Sequence, residues 1–221
     1  MQHLRARFGA LFDWDGVIVD SKALHEAAWD EVAREFGYQH GPADFRRHFG
    51  TQNWRAISEI LSWTRDPGEI ERISSRKEEL YRQRIGQADL AVPGMREMLG
   101  VLAERGVPCA VVSSSPLVNI EHVIGALGIA GYFRSIVSAE DCRFGKPDPE
   151  GFSLGAERLG LPASRCVVFE DAPAGIEAGR RAGARVLGLA TTHDARELAA
   201  ADVIADGWSK DLVYVLESWF A

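Results

Sequence analysis

The chain is poor in cysteine and has no long apolar run. Its 221 residues include three cysteines, an odd number at wide spacings, which argues against a disulfide framework or a structural zinc site. No stretch approaches the roughly 20 apolar residues that a membrane-spanning helix needs. The first nine residues carry two arginines without an apolar run after them, so they do not resemble an export signal. We therefore expect a cytoplasmic protein with free thiols.

Positive charge is also in short supply. Aspartate and glutamate outnumber lysine and arginine by 32 to 25, which gives a net charge of -7. Such a surface repels nucleic acid and anionic membranes, so we expect neither as a partner. The length and the hydrophobic content of 46% suit one domain with a small inserted module, and we expect a monomer or a weak dimer.

Short apolar runs without alternation predict buried strands at 8–12, 107–112, 165–169 and 184–189, with weaker candidates at 135–137 and 202–204. Between them, segments that begin near proline and end near glycine predict helices. Strand and helix therefore alternate from about residue 92 onward. This alternation predicts an α/β fold with a Rossmann-like parallel sheet, whose functional residues collect at the carboxyl ends of the strands.

Residues 21–90 have helical periodicity only, with apolar residues recurring every three or four positions. The segment Asp66-Pro67-Gly68-Glu69 predicts a helix that starts with a capping box. The charged residues between positions 69 and 84 are expected to form the solvent-facing side of that helix. We predict an all-helical cap over residues 21–90, inserted into a catalytic core of residues 1–20 and 91–221 and covering the carboxyl edge of its sheet.

Two carboxylates follow the first predicted strand, in the segment Phe12-Asp13-Trp14-Asp15-Gly16. Crowded acids repel each other and lose hydration, so a fold keeps them where a cation or a reaction compensates. Gly16 allows a sharp turn and a close approach to a ligand. A solvated turn is the alternative interpretation of so short a motif.

Polar residues also follow three other predicted strands. The serines at 113–115 offer hydroxyls and N–H groups at a helix start, which suits either an anion or a helix cap. Lys146, one of only four lysines, lies in a proline-bounded loop and is either a partner for phosphate or a solvated charge. Glu170 and Asp171 end a further strand. Their oxygens suit Mg²⁺, although Asp171 also fits a helix cap.

In this order the motifs resemble the signature of the haloacid dehalogenase superfamily of phosphotransferases. The matching residues are Asp13-x-Asp15-Gly16, Ser113, Lys146 and Glu170-Asp171. The resemblance spans the whole chain, because the helical insertion is similar to the small cap of the subfamily that contains β-phosphoglucomutase and many sugar phosphatases. An acid at position 15 is typical of the phosphatases and mutases of that superfamily, so the resemblance implies cleavage of a P–O bond.

The resemblance implies a role for each motif. Asp13 is expected to be the nucleophile that forms an aspartyl-phosphate, and Asp15 the general acid and base. Ser113 and Lys146 are expected to bind phosphoryl oxygens, assisted by the N–H of Ser114. The implied Mg²⁺ site consists of Asp13, Asp15 through its carbonyl, Asp171, and Glu170 through water.

Substrate contacts are predicted at Gly16, Ser114, His25, Gly50 and Asn53. His25 resembles a histidine near the cap hinge of the mutase subfamily. Gly50 and Asn53 lie in a segment similar to its specificity loop, where the mutase carries basic residues that hold a second phosphate. Phe49 and Asn53 stand at those positions here, which favours a singly phosphorylated substrate.

We therefore predict a Mg²⁺-dependent phosphatase for a small phosphorylated metabolite, a sugar phosphate or a similar monoester. A sugar phosphomutase of the β-phosphoglucomutase type is the alternative with the same core residues, because it differs only in passing the phosphoryl group to a second hydroxyl. A non-catalytic phosphate-binding module is the alternative from another class. Release of inorganic phosphate distinguishes the first from the other two.

Overall fold

The computed structural model describes residues 8–85 and 90–221, which form two compact units. One contains residues 8–20 and 90–221, and the other contains residues 21–85. Residues 1–7 of the predicted core and 86–89 of the predicted cap lie outside the described residues. In the part of the chain that is described, no helix is long and apolar enough to cross a membrane.

The first unit is built on a parallel sheet of six strands, β1 (Gly9–Phe12), β2 (Cys109–Val112), β3 (Phe133–Val137), β4 (Cys166–Glu170), β5 (Arg185–Leu189) and β6 (Val203–Ala205). They are arranged in the order β3-β2-β1-β4-β5-β6, and every neighbouring pair is parallel. The strands β1, β2 and β4 are buried along their whole length, as apolar runs without alternation predict. The predicted Rossmann-like α/β fold is confirmed.

The second unit consists of helices and their connections, α1 (Lys22–Phe36), α2 (Pro42–His48), α3 (Asn53–Arg55), which continues as a π-helical turn (Ala56–Ile60), and α4 (Pro67–Arg84). Helix α1 packs along α4. Their apolar faces enclose a core that includes Trp29, Val32, Phe45, Ile57 and Ile73. The apolar spacing of three and four residues places these side chains on the inner faces of their helices.

The predicted capping box at the start of α4 forms only in part. The carboxylate of Asp66 accepts the N–H of Glu69 at 2.7 Å, as predicted. The Glu69 carboxylate instead accepts the hydroxyl of Tyr38 at 3.2 Å, and the N–H of Asp66 donates to Thr64 Oγ1 at 3.1 Å. Tertiary contact with Tyr38 therefore replaces the second, local half of the motif.

The helices of the first unit are α5 (Met95–Glu104), α6 (Leu117–Leu127), α7 (Glu150–Arg158), α8 (Pro173–Arg181) and α9 (Leu212–Trp219). Helix α7 packs against β1, β2 and β3, while α8 packs against β4 and β5. The core between them contains Leu11, Val112, Phe152, Val168 and Ile176, all at most 3% exposed. Burial of each such side chain contributes about 1.5–3 kcal/mol to stability, so this core fixes the strand ends rigidly.

Two segments connect the first unit to the helical unit, residues 18–20 and residues 90–92, and they are hydrogen-bonded to each other. The N–H of Asp20 donates to the carbonyl of Leu90 at 2.8 Å, and the N–H of Val92 donates to Ile18 at 3.0 Å. Val19 and Ala91 form an antiparallel bridge between them. The helical segment therefore starts and finishes at one point of the first unit.

Candidate active site

Strand register brings the predicted acids to one edge of the sheet. Phe12 of β1 lies opposite Val111 of β2 on one side and Phe169 of β4 on the other. Asp13, which follows Phe12, therefore stands beside Glu170, and its N–H donates to the carbonyl of Phe169 at 3.0 Å. The strand order reverses between β1 and β4, and open α/β sheets bind their ligands in the crevice at such a point.

Lys146 joins the two acidic strand ends. Its ammonium group donates to Asp13 Oδ1 and, at 2.5 Å, to Glu170 Oε1. Burial alone would lower the pKa of Lys146, but the charges of Asp13 and Glu170 hold this pKa above its ordinary value. The lysine is therefore a permanent cation between two carboxylates, and the solvated alternative is wrong.

Three carboxylates crowd together beside this lysine. Asp13, Glu170 and Asp171 are 8%, 1% and 2% exposed, and each offers an oxygen within 4.8 Å of the others. Burial raises the pKa of Asp13 to about 7, although Lys146 lowers it and Glu170 raises it further. Burial, followed by repulsion from Glu170 and Asp13, raises the pKa of Asp171 well above its ordinary value. The single charge of Lys146 therefore does not balance the three carboxylates.

This donor set fits a hard divalent cation. Carboxylate oxygens suit Mg²⁺, and a divalent charge would offset the repulsion that raises these pKa values. Glu170 fits direct ligation less well, because its Oε1 accepts Lys146 and its Oε2 accepts the N–H groups of Asp171 and Ala172, both at 3.0 Å. Asp13 and Asp171 are the better candidates for direct ligands.

Two glycines make room for the carboxylates. Gly16 has a left-handed backbone with φ of 80°, and a Cβ at this position would overlap Asp171 Oδ2. Gly175 lies in the first turns of α8, where a Cβ would overlap Glu170 Oε1. A side chain at either position would displace a member of the cluster. Gly16 was predicted to allow a close approach to a ligand, and in the structure it allows the close approach of the Asp171 carboxylate.

The serine segment after β2 contacts the first motif through a residue that the sequence did not single out. Ser113 Oγ accepts the N–H of Ser115 at 3.0 Å, and Ser115 Oγ donates to Asp15 Oδ2 at 3.0 Å. Ser114 lies partly exposed between them. At the start of helix α6 the N–H of Leu117 donates to the Glu140 carboxylate at 3.1 Å, and the N-cap residue is Pro116, so the alternative role of these serines as helix caps is wrong. The predicted acid and base, Asp15, is therefore held by a hydroxyl.

A loop after β5 also contacts the acids, and the sequence did not identify it. Thr191 Oγ1 donates to the carbonyl of Gly16 at 2.6 Å. Thr192 Oγ1 is hydrogen-bonded to Asp171 Oδ2, and His193 Nδ1 lies 2.9 Å from the Asp171 carbonyl oxygen. These residues follow a buried strand, as Asp13 and Asp171 do, so their position after β5 could have indicated a place in the site.

The helical unit contains a separate buried polar network. Lys77 Nζ lies 2.9 Å from His25 Nδ1 and 2.8 Å from Glu78 Oε1, and Asn53 Nδ2 donates to Glu78 Oε1 at 2.7 Å. His25 and Asn53 therefore share one network with two residues that the sequence did not identify. Lys77 and Glu78 are only 3% and 5% exposed, so the predicted solvent-facing charge run is wrong at these positions. Gly50 is exposed, with φ of 81°.

Two curated proteins that are similar to this chain are phosphatases by name. It is 37% identical to the chloroplastic 5-amino-6-(5-phospho-D-ribitylamino)uracil phosphatase of Arabidopsis thaliana over 89% of its own length, and it spans about half (53%) of that relative. It is 34% identical to the validoxylamine A 7'-phosphate phosphatase of Streptomyces hygroscopicus subsp. limoneus, with 93% of this chain and 94% of that protein covered.

The comparison of structures and the family model agree with the predicted resemblance. A crystal structure of β-phosphoglucomutase from Clostridium difficile superposes with a TM-score of 0.84 and 26% identity, and 96% of each chain is covered. The family model described as haloacid dehalogenase-like hydrolase matches residues 9–183. This match covers more than half of the 221 residues, and the chain therefore belongs to the haloacid dehalogenase-like hydrolases.

Proposed function

We propose that this chain is a Mg²⁺-dependent phosphatase that hydrolyses a small phosphorylated metabolite, a sugar phosphate or a similar monoester. The observation that carries the proposal is the position of Lys146, which bridges Asp13 and Glu170 next to Asp171 at the reversal of strand order. The names of the curated relatives support the same class of reaction.

The metal site proposed for this enzyme uses oxygens of the acid cluster. Asp13, Asp171 and the carbonyl of Asp15 would hold Mg²⁺, with Glu170 acting through water because its own oxygens already accept hydrogen bonds. When bound, the ion supplies positive charge that stabilises the phosphoryl oxygens and the ionised acids.

The first half of the reaction transfers the phosphoryl group to the protein. A carboxylate oxygen of Asp13 attacks phosphorus, the bond from phosphorus to the ester oxygen breaks, and Asp15 gives its proton to the leaving alcohol. Lys146 favours the ionised form of Asp13 and, with the Ser113 hydroxyl and the Ser114 N–H, binds phosphoryl oxygens. Ser115 holds Asp15 in place through its hydrogen bond to Oδ2.

The second half regenerates Asp13. Asp15, now ionised, removes a proton from a water molecule as the water oxygen attacks phosphorus, and the bond from phosphorus to Asp13 breaks. Inorganic phosphate leaves, and Asp15 is again protonated for the next substrate. The chain's own residues thus account for every proton in the cycle.

Hydrolysis is favoured over phosphoryl transfer to a second hydroxyl by the contacts of Asn53. This residue stands at a position where the mutase carries a basic residue, and its amide donates to the Glu78 carboxylate. The Asn53 side chain is uncharged, and its amide is already engaged by Glu78, so it offers no positive charge to a second phosphate group. We therefore assign to the helical unit the selection of a singly phosphorylated substrate.

The proposal is tested by phosphate release from p-nitrophenyl phosphate and a panel of sugar phosphates, with Mg²⁺ and with EDTA. We expect Mg²⁺-dependent turnover, no turnover for Asp13→Asn, and a higher Mg²⁺ requirement for Asp171→Asn. Asp20→Asn is the matched control, because Asp20 is an exposed acid of the same segment. Wild-type turnover by Asp13→Asn would show that the nucleophile is assigned wrongly. Formation of a product isomer without phosphate release would establish a mutase.

A further inference from the structure

We propose that the loop of residues 191–193 positions the Asp171 carboxylate and thereby sets the Mg²⁺ affinity of the site, with Thr192 as the principal positioning residue. The inference rests on the proposed function, because it concerns the same acid cluster. None of the motifs that identify the family includes this loop. Its role is carried by three side chains that converge on Asp171 and on the first motif.

The direction of the hydrogen bonds in this loop is fixed by its acceptors. A carbonyl oxygen has no proton, so His193 Nδ1, at 2.9 Å from the Asp171 carbonyl and 3.0 Å from Thr192 Oγ1, must carry the hydrogen. The Thr192 oxygen accepts this hydrogen, so the single hydrogen of the Thr192 hydroxyl is the one that points at Asp171 Oδ2. The histidine thus donates toward the threonine, and the threonine donates to the acid.

The loop is also fixed at two further points. The N–H of Ala190 donates to the carbonyl of Ala205 at 2.8 Å, which continues the pairing of β5 with β6. The hydroxyl of Thr191 donates to the Gly16 carbonyl at 2.6 Å, within the segment that carries Asp13 and Asp15. The Thr192 hydroxyl is therefore presented to Asp171 from a loop that is tied to the sheet and to the nucleophile segment.

Loss of the Thr192 hydroxyl would affect a carboxylate that has little freedom. Asp171 is 2% exposed and lies beside two other acids, so like charges push it away from the cluster. A hydrogen bond from a fixed hydroxyl opposes this displacement. Removing a hydrogen-bond partner of a metal ligand typically weakens metal binding or activity by about 10- to 100-fold.

The test compares Thr192→Val, which removes the hydroxyl and keeps the shape, with Thr192→Ser, which keeps the hydroxyl. Thr64→Val is the matched control, because Thr64 lies in the helical unit and contacts Asp66. For each full-length protein, the Mg²⁺ dissociation constant is measured by calorimetry, and the Mg²⁺-induced rise in melting temperature by thermal denaturation. The Mg²⁺ concentration for half-maximal hydrolysis of p-nitrophenyl phosphate is measured in parallel.

We expect Thr192→Val to weaken Mg²⁺ binding about 10-fold or more, while Thr192→Ser and Thr64→Val stay within about twofold of the wild type. An unchanged Mg²⁺ dissociation constant in Thr192→Val would overturn the inference, even if that variant melted at a lower temperature. Thr192→Ala removes the same hydroxyl and serves if the valine variant fails to fold.

The outcomes separate this inference from the proposed function. A wild type that binds Mg²⁺ in a Thr192-dependent way but hydrolyses no ester would support the positioning role and contradict the phosphatase. Ester hydrolysis by the wild type, combined with an unchanged Mg²⁺ affinity in Thr192→Val, would support the phosphatase and contradict the positioning role. A wild type that binds no Mg²⁺ would overturn the inference together with the metal site.

Discussion

The carboxylate of Glu170 occupies the space into which a side chain on Gly175 would project. Glu170 ends β4 and Gly175 lies in the first turns of α8, so the strand and the helix that follows it share this space. The same carboxylate accepts Lys146 and two backbone N–H groups. A single missing Cβ therefore permits the contacts that hold Lys146.

We expect Gly175→Ala to lower kcat for p-nitrophenyl phosphate about 10-fold or more, because its methyl group displaces Glu170 from Lys146. The same overlap should cost about 1–3 kcal/mol in the free energy of unfolding. Gly100→Ala is the matched control, since Gly100 lies inside α5 with no neighbouring atom within 4 Å of a Cβ. That change should leave kcat unaltered and stabilise the helix by up to about 1 kcal/mol. Equal kcat values for the two variants would contradict the role of Gly175.

We expect Ser115→Ala to lower kcat about 10-fold with little change in KM. The lost hydroxyl donates to Asp15 Oδ2 at 3.0 Å, and Asp15 is ionised in the second half of the proposed cycle. A hydrogen bond to a charged group is worth roughly 1.5 kcal/mol, which corresponds to that factor in rate. Steady-state kinetics on p-nitrophenyl phosphate measures both constants. Ser153→Ala, at an exposed position of α7, should behave as the wild type. A rise in KM at constant kcat would instead indicate that Ser115 binds the substrate.

We expect Lys77→Met to lower the free energy of unfolding by about 3–5 kcal/mol at neutral pH, because it leaves the buried Glu78 without its charge partner. Burial acts to raise the pKa of Glu78, but Lys77, His25 and Asn53 together bring this pKa below its ordinary value. Glu78 is therefore ionised in the folded protein, and removing Lys77 leaves a buried negative charge. Urea denaturation measures the change.

The double variant Lys77→Met with Glu78→Gln is the control for this pair. A glutamine at position 78 is uncharged and still accepts the amide of Asn53, which donates to Glu78 at 2.7 Å in the native chain. We expect the double variant to recover most of the stability that the single variant loses. If the single variant unfolded at the wild-type urea concentration, the burial of this ion pair would be contradicted.

We expect the protein to lose stability as the pH falls from 7.5 to 5.5, partly through His48. Burial, together with His40 and Lys77, lowers the pKa of His48 from 6.5 to about 3 in the folded protein. Below pH 6.5 the unfolded chain takes up a proton that the folded chain does not, so the unfolded state is favoured. For one group this amounts to about 1.4 kcal/mol between the two pH values.

Urea denaturation of His48→Gln at both pH values measures that contribution. Glutamine does not titrate, and its amide replaces the contact with His40 Nε2, which lies 2.9 Å from His48 Nε2. The variant should therefore lose less stability on acidification than the wild type. His122→Gln, at an exposed position of α6, should show the wild-type pH dependence. Equal pH dependence in His48→Gln and the wild type would contradict the buried, neutral state of His48.

The positions of Asp13, Glu170 and Asp171 could be expected from the sequence because a parallel sheet brings the carboxyl ends of its strands to one edge, whereas Lys146 lies in a loop beyond β3 and was expected there from the family resemblance. Buried strands are short and strongly apolar, so their ends are easily located, and polar residues directly after them fall at that edge. This reasoning needs only the order of the elements, which explains why it located the acid cluster without any knowledge of loop conformation.

The contacts of Ser115, Thr192 and Lys77 could not be predicted in the same way. Which hydroxyl faces a carboxylate depends on the path of a loop, and the sequence does not specify that path. Lys77 and Glu78 stand in a run of charged residues that is typical of an exposed helix face. The packing of α1 and α3 against α4 covers them, and such packing involves residues distant in the sequence.

The hydrogen bonds that join Asp20 to Leu90 and Ile18 to Val92 have an evolutionary consequence. The two ends of the helical segment are adjacent in the first unit. The length and composition of this segment can therefore change without moving the strands of the sheet. Natural selection can therefore vary this insertion while the sheet and the acid cluster at its edge are inherited unchanged.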